Sequence, residues 1–70
     1  MEKIIAEVTR ANPAYTHIIF GKEEGWEEER AYFTRAGGYS GAIWGEFSGH
    51  YNMSILEATE DFAERLARGY

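Results

Sequence analysis

The side chains of this chain that could do chemistry are two histidines, His17 and His50, and twelve carboxylates, with no cysteine among them. Imidazole binds zinc and exchanges protons near neutral pH, so a histidine joined by carboxylates is the raw material of a metal centre or of acid–base catalysis. Either use needs the groups at a working spacing, and no recognisable ligand spacing joins His17 or His50 to an acid. The glutamates could supply an acid and base pair, yet no segment sets one beside a nucleophile or a pocket-forming glycine loop. "AGGYSG", residues 36–41, lacks the Lys-Ser and the strand-to-helix junction of a phosphate cradle and reads as a flexible loop. Both histidines are therefore expected in structural or surface roles. The chain is expected to be no enzyme and to hold no metal or cofactor.

A second kind of chemistry is recognition. "GKEEGWEEER", residues 21–30, sets five glutamates and a tryptophan within the seven positions from Glu23 to Glu29. An aromatic anchor inside a charged rim is the usual anatomy of a binding surface. The expected partner-binding set is Glu23, Glu24, Trp26, Glu27, Glu28 and Glu29, joined by Tyr32 and Trp44 from the strands that follow. The plainer alternative is an acidic run that is simply solvated and keeps an edge strand from aggregating, with Trp26 packed locally. Twelve acids against seven bases give a net charge of −5. Such a chain repels phosphate backbones and favours basic partners. Tyr32 and Trp44 could stack the bases of single-stranded RNA, but modules of that kind add a basic groove, and here seven bases are scattered along the chain.

The elements that must position these groups are strands followed by one helix. "KIIAEVTR", residues 3–10, alternates Ile4, Ala6 and Val8 as a half-buried strand does, although Ile4, Ile5, Val8 and Ala11 also fit a helical stripe stopped at Asn12-Pro13. "NPAY" suits a type I turn, which favours a hairpin. "YTHIIFG" is rich in β-branched and aromatic residues, and "KEEG" suits a turn with a left-handed glycine. "WEEERAYFTR", residues 26–35, reads as a returning strand, with a helix as its alternative, since acids precede arginines and a Gly37-Gly38 stop follows. Residues 41–48, "GAIWGEFS", form a fourth strand with Gly45 marking a bulge or a close backbone approach. Ser54 with Glu57 makes a capping box, Arg65 and Arg68 lie near the end and Gly69 stops the helix expected over 55–68. Leu56, Phe62, Ala63 and Leu66 should line its buried side, with Glu57, Glu60, Asp61, Glu64 and Arg68 facing water.

The fold class expected is α+β: one small domain over residues 1–70, an antiparallel sheet of about four strands in two hairpins, and a C-terminal helix on one face. Strand parity assigns Ile4, Ala6, Val8, Ile18, Phe20, Ala31, Phe33, Ile43 and Phe47 to the covered face. The other face receives Ile5, His17, Ile19, Trp26, Tyr32 and Trp44, together with Thr9, Glu28 and Arg30. That side is more apolar than a solvated face should be, so it is expected to meet loops, a second copy or a foreign partner.

Hydrophobic content of 44%, with two Trp, five Tyr and four Phe, argues for an ordered chain. The absence of cysteine removes any argument for an oxidising compartment. "MEKIIAEVTR" is too short and too charged for a signal sequence, and no apolar run approaches the ~18 residues of a membrane span. A soluble cytoplasmic protein is expected. Its expected function is that of a non-enzymatic interaction module, an acidic inhibitor that blocks a basic, nucleic-acid-binding site on a larger protein. In size and general character the chain is similar to small acidic inhibitors made by bacteriophages, anti-CRISPR proteins and nucleic-acid mimics among them, which would put it in the host cell cytoplasm. The alternative is a structural or regulatory homodimer joined through the second sheet face.

Overall fold

β-branched and aromatic residues concentrate in four stretches, and each becomes a strand. The computed structural model describes residues 1–10 and 15–70, Ser40 by its backbone alone. Strand β1 (Glu2–Arg10) is followed by β2 (Thr16–Glu23), a single 3-10 turn (Glu28–Arg30), β3 (Tyr32–Ser40), β4 (Ile43–Met53) and helix α1 (Ile55–Arg68). The strands form one antiparallel sheet in the order β1-β2-β3-β4, with α1 packed on one face, so the α+β class read from the sequence is the one observed. The expected turn at Asn12 and Pro13 lies outside the described residues. No helix among the described residues is long and apolar enough to cross a membrane.

The expectations for the first strand, the second and the helix hold, whereas the third and fourth strands move. Residues 26–35 are not one strand: Glu28–Arg30 close a 3-10 turn, and β3 begins only at Tyr32. The acids at the start of that stretch suit a helical first turn, but the following Tyr-Phe-Thr favours extended backbone. The glycine-rich stretch read as a loop is strand up to Ser40, and β4 runs on to Met53 rather than stopping at residue 48.

These shifts redistribute the two faces. On the helix side lie Ala6, Val8, Ile18, Phe20, Thr34 and Ala36, joined by Tyr32 through its pairing with Lys22. A bulge at Ile5 breaks the alternation, so Ile4 pairs Gly21 and falls on the far side, opposite to expectation. Phe33 also falls there, because the 3-10 turn offsets β3 by one residue. Ile43 and Phe47 stand exposed rather than buried, and exposed Trp26 sits in the connection rather than on the sheet.

The far face is largely roofed by the chain's own side chains. Glycines give flat ground on which aromatic rings lie: Phe33 covers Gly21, and Trp44 covers Gly37, where an added Cβ would strike the ring. The Phe33 and Tyr51 rings stack at 5.7 Å, and the Arg35 guanidinium sits 4.8 Å above Phe33 while gripping Glu2 through two bonds of 2.8 and 2.6 Å. Phe33 and Ile19 are buried.

Helix α1 is fixed at both ends. Ser54 Oγ accepts from the Glu57 N–H at 3.2 Å while a Glu57 carboxylate oxygen accepts from the Ser54 N–H at 2.9 Å. Gly69 takes φ 97° and donates its N–H to Arg65 O. The helix is rotated from the expected face: Ala58 and Arg65 are buried, Phe62 is half-buried against Phe20, and Leu56 and Ala63 are exposed. Arg65 draws it round. Its guanidinium finds partners on the sheet, with Nε donating to Thr34 Oγ1 at 2.9 Å and Nη2 to Ser48 Oγ at 3.1 Å. Asp61, expected in water, turns in beside it at 3.4 Å.

Candidate functional site

The connection between β2 and β3 gathers the acidic residues by a small set of backbone bonds. Gly25 takes φ 92° at the third position of a turn closed by Trp26 N–H to Glu23 O. Glu23 N–H donates to Ala31 O at 2.7 Å and Glu24 N–H to Met1 O at 2.8 Å, so the connection is sewn to its neighbours. Within it Glu28 is a tie: one carboxylate oxygen takes Lys22 Nζ at 3.1 Å and the other accepts from the Tyr32 hydroxyl at 2.5 Å. The Tyr32 hydroxyl, then Lys22, hold the Glu28 carboxyl below the ordinary glutamate range, and Glu28 in turn raises both the Lys22 amine and the Tyr32 phenol.

Glu24, Glu27 and Glu29 are exposed, and their carboxylates pair with no described residue. Among them stands Trp26, 51% exposed, at the lip of a cleft of about 120 Å³ walled by Phe33, Tyr51 and Arg30. That volume is below the ~300 Å³ from which small-molecule sites begin, and suits one inserted side chain. Asn52, at φ 60°, forms part of the wall, a conformation asparagine tolerates better than most residues.

The helix extends this acidic end. Because Tyr32 pairs with Met53, α1 starts beside the acidic connection. Met53 with Glu57, Glu60, Asp61 and Glu64 borders a broad open groove of about 530 Å³. Glu60 and Glu64 are exposed and, like the turn glutamates, carry no partner among the described residues.

Of the residues expected to bind a partner, Glu23, Glu24, Trp26, Glu27, Glu28 and Glu29 are together at this end. Tyr32 is not displayed: its ring belongs to the core with Phe20 and Ala58, and only the hydroxyl reaches out to Glu28. Trp44 is far away, since it pairs with Tyr39, seven residues along β3 from Tyr32, or about 23 Å at the rise of a strand.

A polar cluster between helix and sheet was not legible in the sequence. The Asp61 carboxylate accepts from Thr34 Oγ1 and contacts His50 Nδ1 at 2.9 and 3.0 Å. Arg65 Nη2 lies 3.2 Å from the same nitrogen. Burial alone would raise the Asp61 carboxyl, but the bonds from Thr34 and His50 and the charges of His50 and Arg65 outweigh it and hold the group below the ordinary aspartate range. The cluster fastens α1 to β3 and β4. Its only sequence signal is a cross-strand register, Thr34 opposite His50 and Ala36 opposite Ser48, which needs the fold to be known first. His17 is tied separately, at 3.1 Å from Glu7. Among the described residues no three His, Cys, Asp or Glu are grouped to hold a metal ion.

No protein-family model matches the chain, and no curated protein and no solved structure does either.

Proposed function

We propose that the protein is an interaction module that sets its acidic end against a basic, nucleic-acid-binding surface of a larger protein, acting by occupancy rather than by catalysis. Small phage-encoded inhibitors of the anti-CRISPR or nucleic-acid-mimic type work in this way, and the setting would be the host cell cytoplasm. One observation carries the reading: the exposed Trp26 stands among the unpaired turn carboxylates Glu24, Glu27 and Glu29, and helix α1, which begins beside that turn, adds the exposed Glu60 and Glu64 on the helix-covered side. Three of the bases are already paired, Lys22 by Glu28 within the acidic connection itself, Arg35 by Glu2 and Arg65 by the helix–sheet cluster. Opposite charge would steer the encounter, and burial of Trp26 with a basic side chain in its cleft would set the residence time. Pairing of two copies through the far sheet face has less in its favour, because Ile19 and Phe33 are already buried there.

The test is capture from an extract of the native host with the intact chain and with its Glu24→Lys, Glu27→Lys, Glu29→Lys variant. The wild type should hold a basic protein in a salt-sensitive manner, displaced by duplex nucleic acid, and the variant should associate about tenfold more slowly or worse. Equal capture by both chains, or a partner indifferent to salt, would refute the reading.

A further inference from the structure

At the opposite end from the acidic turn, the far face of the sheet keeps one opening. It is a cleft of about 210 Å³ with Ile19 and Arg35 as its floor and Trp44, Tyr39 and His17 as its walls. The indole and the imidazole stand edge to face, their centroids 6.3 Å apart and their planes at 87°. Tyr39 is 58% exposed.

The donors at this cleft are unusual. Among the described residues three side-chain polar atoms are buried without a partner, and two of them, Trp44 Nε1 and Arg35 Nε, belong to residues of this one cleft. Both are N–H donors, and a buried donor without an acceptor is a standing cost that an incoming acceptor removes. Trp44 lies across Gly37 on the edge strand β4 and is held there by no hydrogen bond, so turning the indole toward the mouth breaks none.

The charges nearby select the kind of acceptor. Arg35 already holds Glu2 through two bonds and His17 faces Glu7, so an anion arriving here meets two carboxylates and finds the guanidinium fork taken. A neutral carbonyl does not. The ligand that offers carbonyls without donors of its own, and flat apolar rings to lie on aromatic walls, is an extended proline-rich segment: proline lacks the N–H, and the polyproline II helix leaves its carbonyls unpaired. Aromatic-lined grooves are a general means of holding such segments. We propose that this cleft binds a proline-rich segment of another protein, with Trp44 and Tyr39 as its walls and Trp44 Nε1 donating to one of its carbonyls.

The experiment is a titration of the ¹⁵N-labelled full chain with a decamer of proline, following the two indole N–H resonances, which a Trp26→Phe variant assigns. The Trp44 resonance should move downfield and saturate with a dissociation constant of about 10–1000 µM, while that of Trp26 stays in place. Trp44→Phe, which keeps a ring and removes the donor, and Tyr39→Ala should each weaken binding about tenfold, read from the remaining backbone amide shifts. A Trp44 resonance unmoved at about 2 mM peptide, an equal shift with a Gly-Ser decamer, or a response to oligothymidylate and not to oligoproline would each overturn the proposal.

Discussion

Replacing Asp61, which turns in toward the sheet, by asparagine should cost far more than the water-facing position that its sequence spacing suggests. The reason is Arg65, which is 0% exposed and has Asp61 as its nearest carboxylate, at 3.4 Å. Removing one partner of a buried ion pair strands the other charge, which costs about 3–5 kcal/mol, whereas replacing both by apolar or neutral groups is often close to neutral. The Asp61 side chain keeps 19% exposure, so water relieves part of the loss, and a figure of about 2–4 kcal/mol is expected. A domain of this size has roughly 4–10 kcal/mol in total, so Asp61→Asn should remove a large share of it. The assay is urea unfolding followed by tryptophan emission, applied to Asp61→Asn, Arg65→Met and the pair together. The double variant should be more stable than the sum of the two single losses predicts, by more than about 1 kcal/mol. Strict additivity, or an Asp61→Asn loss below about 1 kcal/mol, would refute the account of Arg65 as a charge that depends on this carboxylate.

The same carboxylate sets an acid limb. Asp61 and Glu2 are both held below their ordinary values, Glu2 chiefly by its bonds from Arg35, so the unfolded chain takes up their protons more readily than the folded one. Their stabilisation is present above the unfolded values, near 3.8 for Asp61 and 4.5 for Glu2, and is lost as pH falls through the folded ones, so the urea midpoint should drop below about pH 4.5 and Asp61→Asn should flatten the lower part of that drop. Gly37→Ala should cost about 1–3 kcal/mol, because the new Cβ would strike the Trp44 ring and lie 2.5 Å from Gly45 O. Gly45→Ala, with nothing within 4 Å, should stay within about 0.5 kcal/mol, and similar unfolding midpoints for the two would contradict the packing described. Ser54→Ala, by removing the N-cap of α1, should cost about 1 kcal/mol and lower the thermal midpoint by several degrees; an unchanged midpoint would mean the cap contributes nothing.

What was legible in the sequence was what is local. The capping box of Ser54 and Glu57, the glycine stop and the β-branched run of β2 each depend on neighbours a few residues away, and their elements stand where expected. The clustering of Glu23 to Glu29 around Trp26 was legible for the same reason. Tyr32 changed face because one 3-10 turn before β3 shifted its parity, whereas Trp44 keeps the face expected of it but was carried to the other end by the continuation of β3 through Gly37 and Gly38. The glycines read as loop because their role is to make room for rings from other strands, and no neighbour in sequence announces that. Arg65 looked like a charge matched to the helix terminus, and only the sheet opposite reveals the hydroxyls and carboxylate that draw it inward.

The sheet's order, in which each strand pairs only with those next to it in the chain, has a consequence for how the molecule is made. Every pairing closes a short loop, so strands can join as they leave the ribosome without waiting for a distant segment. Phe20 and Tyr32, however, receive their cover from Ala58 and Phe62, which are synthesised after all four strands. Until α1 emerges a nascent chain carries a finished sheet with a naked apolar side, and that interval is when it is most open to capture by chaperones or by its own kind.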